Sequence, residues 1–423
     1  MSLNQNKTTS DNGKEKQAGG GEEQTGGGEQ TMHMKYEIDG WEDVNLDLKT
    51  KLLRGIFAYG YENPSAIQKK VLYPMTRYLK DGKKCDILAQ AQSGTGKTGA
   101  FSISTLENID ESKKITQGLI LAPTRELARQ IHGVISEFSK FMNIEIKLLI
   151  GGTPVNEDKK SLEKNVPHII VGTPGRVQDM VKRGFLKLEN LVEFVIDEMD
   201  EMLAEGFKEQ VYEIMGQLPD NIQVGLFSAT VGEDIKEITE TFLRHPIKIL
   251  VKKDLLTLQG IKQYYVNVSN DSDKYATVKD LFDNLSIAQA IIYCNSVKRV
   301  DELHEAMVED GFPVEKIHGK LRENERKQTA KDFKRGKCRV LISSDLFARG
   351  IDVQQVSIVI NFDIPKNVHT YLHRIGRSGR WGRKGLAINL QSKYDLAKLK
   401  DIEEYYNTEV IEMPMNYTQH LDL

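Results

Sequence analysis

Short runs of β-forming apolar residues, spaced by longer amphipathic stretches, recur along two successive parts of this chain, and no other feature restricts its fold as tightly. In the first part the runs are Asp86–Ala89, Leu119–Leu121, His168–Gly172, Val192–Ile196 and Val224–Phe227. After Ile249-Leu250-Val251 a polar, charged segment at 252–260 carries no strand pattern. The runs then resume at Tyr264–Val268, Ala290–Tyr293, Val340–Ser343, Ser357–Asn361 and Leu386–Leu390. Such alternation implies a mostly parallel sheet covered by helices. The expected architecture is α/β twice over: one domain at 36–251, a linker at 252–260 and a second domain at 261–423. Residues 1–35 are rich in Gly, Gln, Glu and Lys and nearly free of aliphatic side chains, so they are expected to form a disordered tail.

Composition sets further bounds. With 423 residues, 39% of them hydrophobic, there is apolar material for two cores of ordinary size. No stretch approaches the roughly 20 apolar residues that a spanning helix needs, and the polar start lacks a secretory core, so no membrane partner is expected and the protein reads as intracellular. Cys85, Cys294 and Cys338 lie far apart with no His or Cys at metal-ligand spacing, which argues against a disulfide framework or a zinc site. A formal charge of −3 excludes a broad basic surface. Any nucleic acid must be held by a localised site.

The most specific local signal is Ala91-Gln92-Ser93-Gly94-Thr95-Gly96-Lys97-Thr98, which follows the first strand run and precedes a helical pattern. In that context Gly94, Thr95 and Gly96 bring backbone N–H groups to phosphate oxygens, Lys97 reaches the outer phosphates, and the Thr98 hydroxyl suits magnesium at a helix start. Asp197-Glu198 ends the apolar run Phe194-Val195-Ile196, so both carboxylates should emerge at the carboxyl edge of a sheet. There Asp197 would hold magnesium and Glu198 would activate water. An acidic pair after a strand is common by itself; beside a phosphate loop it completes a nucleotide-hydrolysing site.

From about Trp41 to the C-terminus the ordered series of motifs resembles the DEAD-box RNA helicases. Gly60-Tyr61-Glu62-Asn63-Pro64-Ser65-Ala66-Ile67-Gln68 is similar to the family's Q motif. The resemblance implies that Gln68 reads adenine and that the upstream aromatic, Trp41, stacks on it. Pro123-Thr124-Arg125-Glu126-Leu127-Ala128, Gly151-Gly152 and Thr173-Pro174-Gly175-Arg176 resemble the first domain's RNA motifs. Ser228-Ala229-Thr230 resembles the motif that couples ATP to unwinding. Ser344-Asp345-Leu346-Phe347-Ala348-Arg349-Gly350-Ile351-Asp352 and His373-Arg374-Ile375-Gly376-Arg377-Ser378-Gly379-Arg380 resemble the last two motifs. Taken singly, several of these would be turns, strand ends or a solvated basic helix. The arginines at 374, 377 and 380 alternate with glycines, a pattern suited to phosphate approach.

The resemblance implies two tandem RecA-like domains with ATP and magnesium as cofactors. It implies arginine fingers at Arg377 and Arg380, a ribose contact at Asp352, and Asp200, Ser228, Thr230 and His373 as coupling residues. RNA would be held without sequence preference through Pro123, Thr124, Arg125, Gly151, Gly152, Thr173, Pro174, Gly175, Arg176, Ser344, Arg349 and Gly350. Met199 stands where the family usually has alanine, so its side chain is expected to alter packing against Ser228-Ala229-Thr230. Further stretches, including Glu412-Met413-Pro414-Met415-Asn416, resemble the family's translation-initiation branch. That implies scaffold and cap-binding partners, a cytoplasmic monomer and local unwinding of short duplexes. The alternative is an ATP-gated RNA clamp of the exon-junction branch, which would place the protein in the nucleus.

Overall fold

The computed structural model describes residues 37–77, 84–91, 95–204, 206–244, 246–249, 261–284, 288–345, 356–378 and 385–414. The expected tail at 1–35 and linker at 252–260 lie outside them. Among the described residues no helix is long and apolar enough to cross a membrane.

Seven strands form the first sheet: β1 (Ile87–Gln90), β2 (Gly118–Leu121), β3 (Ile146–Leu149), β4 (Ile169–Gly172), β5 (Glu193–Ile196), β6 (Gln223–Ser228) and β7 (Ile247–Ile249). Seven more form the second: β8 (Ile261–Asn267), β9 (Ala290–Cys294), β10 (Val314–Ile317), β11 (Val340–Ser344), β12 (Ile358–Asn361), β13 (Gly385–Gln391) and β14 (Ile411–Glu412). The strand orders are β3-β4-β2-β5-β6-β1-β7 and β10-β11-β9-β12-β13-β8-β14, and every pairing is parallel. Adding seven to each strand number turns one order into the other. The two halves therefore share one topology although the sequence shows no internal repeat.

The interior strands read as near-continuous apolar runs because helices cover both faces of a parallel sheet. Alternate residues feed opposite cores. Ile87, Ala89, Ile120, Val171 and Val195 pack on one face, whereas Leu88, Leu121, Ile170, Phe194 and Ile196 pack on the other. The second sheet divides likewise, with Ile291, Leu341 and Val359 against Ile292, Ile342 and Ile360. Edge strands β3, β10 and β14 have no counterpart among the expected runs. Each is half-exposed or carries charged residues within it, so an apolar-run criterion passes over them. Ala229 of the first half packs in the core cluster that otherwise belongs to the second sheet, which brings the end of β6 against that half.

Candidate functional site

The carboxyl edge of the first sheet assembles the catalytic candidates. Gly96, in the left-handed region at φ 106°, caps the helix Lys97–Asn108 and turns the chain from the loop into that helix. Lys97 is 4% exposed; its Nζ lies 2.9 Å from Glu198 Oε2 and 4.0 Å from Asp197 Oδ1. Burial works against the Lys97 charge, but the Glu198 and Asp197 carboxylates outweigh it and hold the ammonium above its usual range. Asp197 is also pushed up, above the ordinary carboxylate range, because burial outweighs the attraction of Lys97. Glu198 also has a left-handed backbone, φ 51°, rarely adopted by an L residue and costing on the order of 1 kcal/mol or more. That kink lets two consecutive carboxylates face the same ammonium. Thr95 and Thr98 flank the lysine, exposed and half-buried respectively.

A residue that sequence reasoning missed sets the spacing. Glu193, at the opposite end of β5 and 0% exposed, accepts hydrogen bonds from Ser104 Oγ at 2.8 Å, Thr105 Oγ1 at 2.9 Å and Asn108 Nδ2 at 2.5 Å. All three donors lie on the helix that begins with Lys97. The carboxylate therefore clamps that helix to the strand that ends in Asp197. A glutamate opening an apolar run gives no sign of this in the sequence.

Gln68 is 2% exposed, and both ends of its amide are engaged: Oε1 accepts from the Ser65 N–H at 2.7 Å and Nε2 donates to the Gly96 carbonyl at 3.1 Å. It ties the helix Ala66–Thr76 to the phosphate loop. The expectation for Trp41 is corrected. The ring is 2% exposed inside the first core cluster, lying 6.4 Å from Tyr61 at 17° between planes, so no free face is offered to a base. Tyr61 is the half-buried partner of the pair.

Between the halves, Asp200 is the shared group. Its Oδ2 accepts from Thr230 Oγ1 at 2.7 Å and meets His373 Nε2 at 3.3 Å, while the Asp200 N–H donates to Ser228 Oγ at 3.3 Å. Burial opposes its charge, but His373 and the other neighbours hold Asp200 well below the usual carboxylate range. Glu198, Asp200 and His373 present ligand-type atoms within 4.8 Å of one another. Met199 points elsewhere: it is 0% exposed in the core cluster with Leu226 and Met202, not against Ala229. Arg377 is 6% exposed just past the helix Val368–Ile375. The arginine ladder is corrected at Arg374, whose side chain is consumed inside the second half by Asp345, Asn361, Asn295 and the Asp363 carbonyl. Gly94, Arg349, Gly350, Asp352 and Arg380 lie outside the described residues.

An open groove of about 540 Å³ gathers most of the expected RNA residues: Pro123, Thr124, Arg125, Gly151, Thr173, Gly175 and Arg176. The Thr124 hydroxyl accepts from the Leu127 N–H at 3.2 Å and so caps its helix. Arg125 lies over Gly151, where an added Cβ would approach its Nη2 to 3.0 Å. Gly152 takes φ 94°, and Pro174 opens its helix. Ser344 ends β11 at 7% exposure, away from the groove wall. Arg176 is corrected as a phosphate ligand: its guanidinium is bound to Asp158 and to Thr153, including the Thr153 carbonyl at 2.7 Å. It braces the loop after Gly152 instead.

The second half contributes Gly319 and Arg326 to the same groove. Arg326 Nη2 lies 3.3 Å from Glu126 Oε1 across the two halves. The helix Glu323–Lys334 reads as a solvated charged stretch, and only its packing singles out Arg326, at 8% exposure.

Comparison with known proteins accounts for this arrangement. The DEAD/DEAH box helicase profile matches residues 65–238, and the helicase conserved C-terminal domain matches residues 273–382. The ATP-dependent RNA helicase eIF4A of Neurospora crassa is 51% identical over 379 residues, 90% of this chain and 93% of that protein. S. cerevisiae Dbp5 bound to RNA and ADP BeF3 superposes with a TM-score of 0.79 at 34% identity, over 87% of this chain and 94% of that one. A variant of the same yeast protein bound to Nup159, Gle1, IP6 and ADP reaches only 0.60 at 33% identity, over 87% of this chain and 96% of that one. The chain belongs to the DEAD/DEAH box helicases, with both RecA-like halves of the helicase present.

Proposed function

We propose that this protein is an ATP-dependent RNA helicase, an RNA-stimulated ATPase that opens short duplexes during translation initiation on mRNA. The observation that carries the reading is Asp200, held at once by Thr230 of the first half and His373 of the second. A nucleotide site and a groove that both halves line are thereby made to depend on one closed arrangement.

In this reading Gln68 selects adenine with the second lone pair of Oε1 and the second N–H of Nε2, while its existing bond to the Gly96 carbonyl relays that contact to the phosphate loop. Phosphate oxygens take the place of the Glu198 carboxylate on Lys97. Freed from that ion pair, Glu198 orients and deprotonates the attacking water. The Asp197 carboxylate, buried 4.0 Å from Lys97 Nζ, and the Thr98 hydroxyl are the oxygen donors that would hold a hard divalent cation. Magnesium held there would supply charge neutralisation at the phosphates. Arg377, with Arg380 assigned by family likeness, meets the transferred phosphoryl group; an arginine finger contributes roughly 10³–10⁵ in rate. Because it stands on the second half, hydrolysis requires closure, and closure also completes the groove, so ATP and RNA favour each other's binding.

The groove offers hydroxyls, backbone at glycines and Arg125, which suit phosphates and 2′-hydroxyls more than base edges. Sequence preference is therefore weak. Scaffold and cap-binding factors are the proposed partners, a monomer the proposed state and the cytoplasm the proposed location, all on likeness to the initiation branch. The test is ATP hydrolysis by the purified protein with and without single-stranded RNA. Stimulation by RNA is expected; an unchanged rate, or stimulation by DNA in preference, defeats the proposal.

A further inference from the structure

Six buried or half-buried polar groups in the second half form one continuous chain with a single direction. Arg374 Nη1 donates to Asn361 Oδ1 at 3.1 Å, and Asn361 Nδ2 donates to Asn389 Oδ1 at 2.8 Å. Asn389 Nδ2 donates to the Tyr371 hydroxyl at 3.2 Å and to the Tyr264 carbonyl at 2.9 Å. The Tyr371 hydroxyl donates to Gln263 Oε1 at 2.9 Å, and Gln263 Nε2 donates to Thr408 Oγ1 at 3.0 Å. Tyr371, Asn361 and Asn389 are 0% exposed and Arg374 is 1% exposed.

The direction is not arbitrary. A guanidinium has donors only, so Asn361 must turn its oxygen to Arg374 and its nitrogen to Asn389. Each later group then has one permitted orientation. A buried chain satisfied at every link specifies its geometry closely, because misplacing any member strands a polar group away from water. The chain enters the helix Val368–Ile375 at two points a turn apart, Tyr371 and Arg374, and anchors it to β8, β12 and β13. That helix carries His373, which meets Asp200, and it ends in the turn that presents Arg377. The turn is tightly made: the Gly376 N–H donates to Leu372 O at 2.9 Å, and a Cβ at Gly376 would lie 2.8 Å from that same oxygen.

We infer that Tyr371, Asn389 and Asn361 are positioning residues for ATP hydrolysis: together they form a buried polar strut that sets where His373 and Arg377 stand when the halves meet. The inference rests on the reading of Arg377 as the group that meets the transferred phosphate. None of the three touches nucleotide. They act through the helix, whose displacement by about 1 Å at a reacting group costs on the order of 10²-fold in rate.

The test is Tyr371→Phe, which keeps the ring in the core and removes only the hydroxyl that links Asn389 to Gln263. RNA-stimulated kcat should fall roughly tenfold while the KM for ATP, set by the first half, stays unchanged. In an Arg377→Ala background the same change should cost less than in the wild-type background, because the strut then has only His373 left to place. A wild-type kcat for Tyr371→Phe, or an independent multiplicative loss in the double variant, overturns the strut. An Arg377→Ala protein with full activity defeats the reading of Arg377 separately. Should Tyr371→Phe not fold, Thr408→Val breaks the half-buried last link without opening the core. It should lower kcat about two- to threefold with the KM for ATP unchanged, and a wild-type kcat there confines the chain to a structural role.

Discussion

Glu126→Gln removes the ion pair across the groove together with a pair to Arg129 that lies within one half and does not depend on closure. Glu126 Oε1 lies 3.3 Å from Arg326 Nη2, with the two side chains 23% and 9% exposed. An exposed pair contributes about 0–1 kcal/mol, and removing one partner of a fully buried pair costs about 3–5 kcal/mol. This pair lies between those limits and nearer the first, so about 1–2 kcal/mol is expected. Each partner belongs to a different half, so that energy is present only when the halves are together. The closed population should fall by a factor of about 5–30. Titration of labelled single-stranded RNA should therefore show a dissociation constant raised by that factor with a non-hydrolysable ATP analogue and nearly unchanged without nucleotide. High salt should shrink the difference. Equal weakening with and without nucleotide would mean that Glu126 acts on RNA directly, and no change in either would show the pair to be inert; both refute the argument.

Lys97→Ala should abolish ATP turnover in a steady-state phosphate-release assay and lower the melting temperature, because two buried carboxylates lose their cation. Glu198→Gln should retain ATP and release RNA more slowly in a dissociation chase; wild-type rates in either variant refute the assignment. Gly55→Ala should cost about 3 kcal/mol or more in urea unfolding, since its Cβ would lie 1.9 Å from the Phe138 carbonyl and force two helices apart; an unchanged midpoint refutes this. Burial raises Glu193 above the ordinary carboxylate range against the pull of Lys84 and its hydrogen-bond donors. A group raised on folding contributes stability that is complete below its unfolded pKa and lost as pH climbs through the folded one. The advantage of wild type over Glu193→Gln, whose amide nitrogen cannot accept from Asn108, should therefore be widest in acid and shrink toward neutral pH in thermal melts; a gap independent of pH refutes the argument.

Sequence alone determined the fold class and named the candidates for catalysis. Apolar runs at the right spacing can only be the interior strands of covered parallel sheets, and a glycine-rich loop with lysine and threonine between strand and helix has one principal chemistry. Such signals are local, carried by residues adjacent in the chain. The edge strands escaped because half-exposed strands lack the apolar run, and Glu193, Arg326 and the strut from Arg374 to Thr408 escaped because their partners lie far away in the chain. Tertiary packing also decided which members of a motif are spent internally. Arg176 braces a loop, Arg374 anchors a helix and Trp41 fills a core, although each carries the residue type its expected ligand would need. A motif records which side chains are available; burial and hydrogen-bond partners decide which remain free to meet a ligand, and those depend on contacts that exist only once the chain has folded.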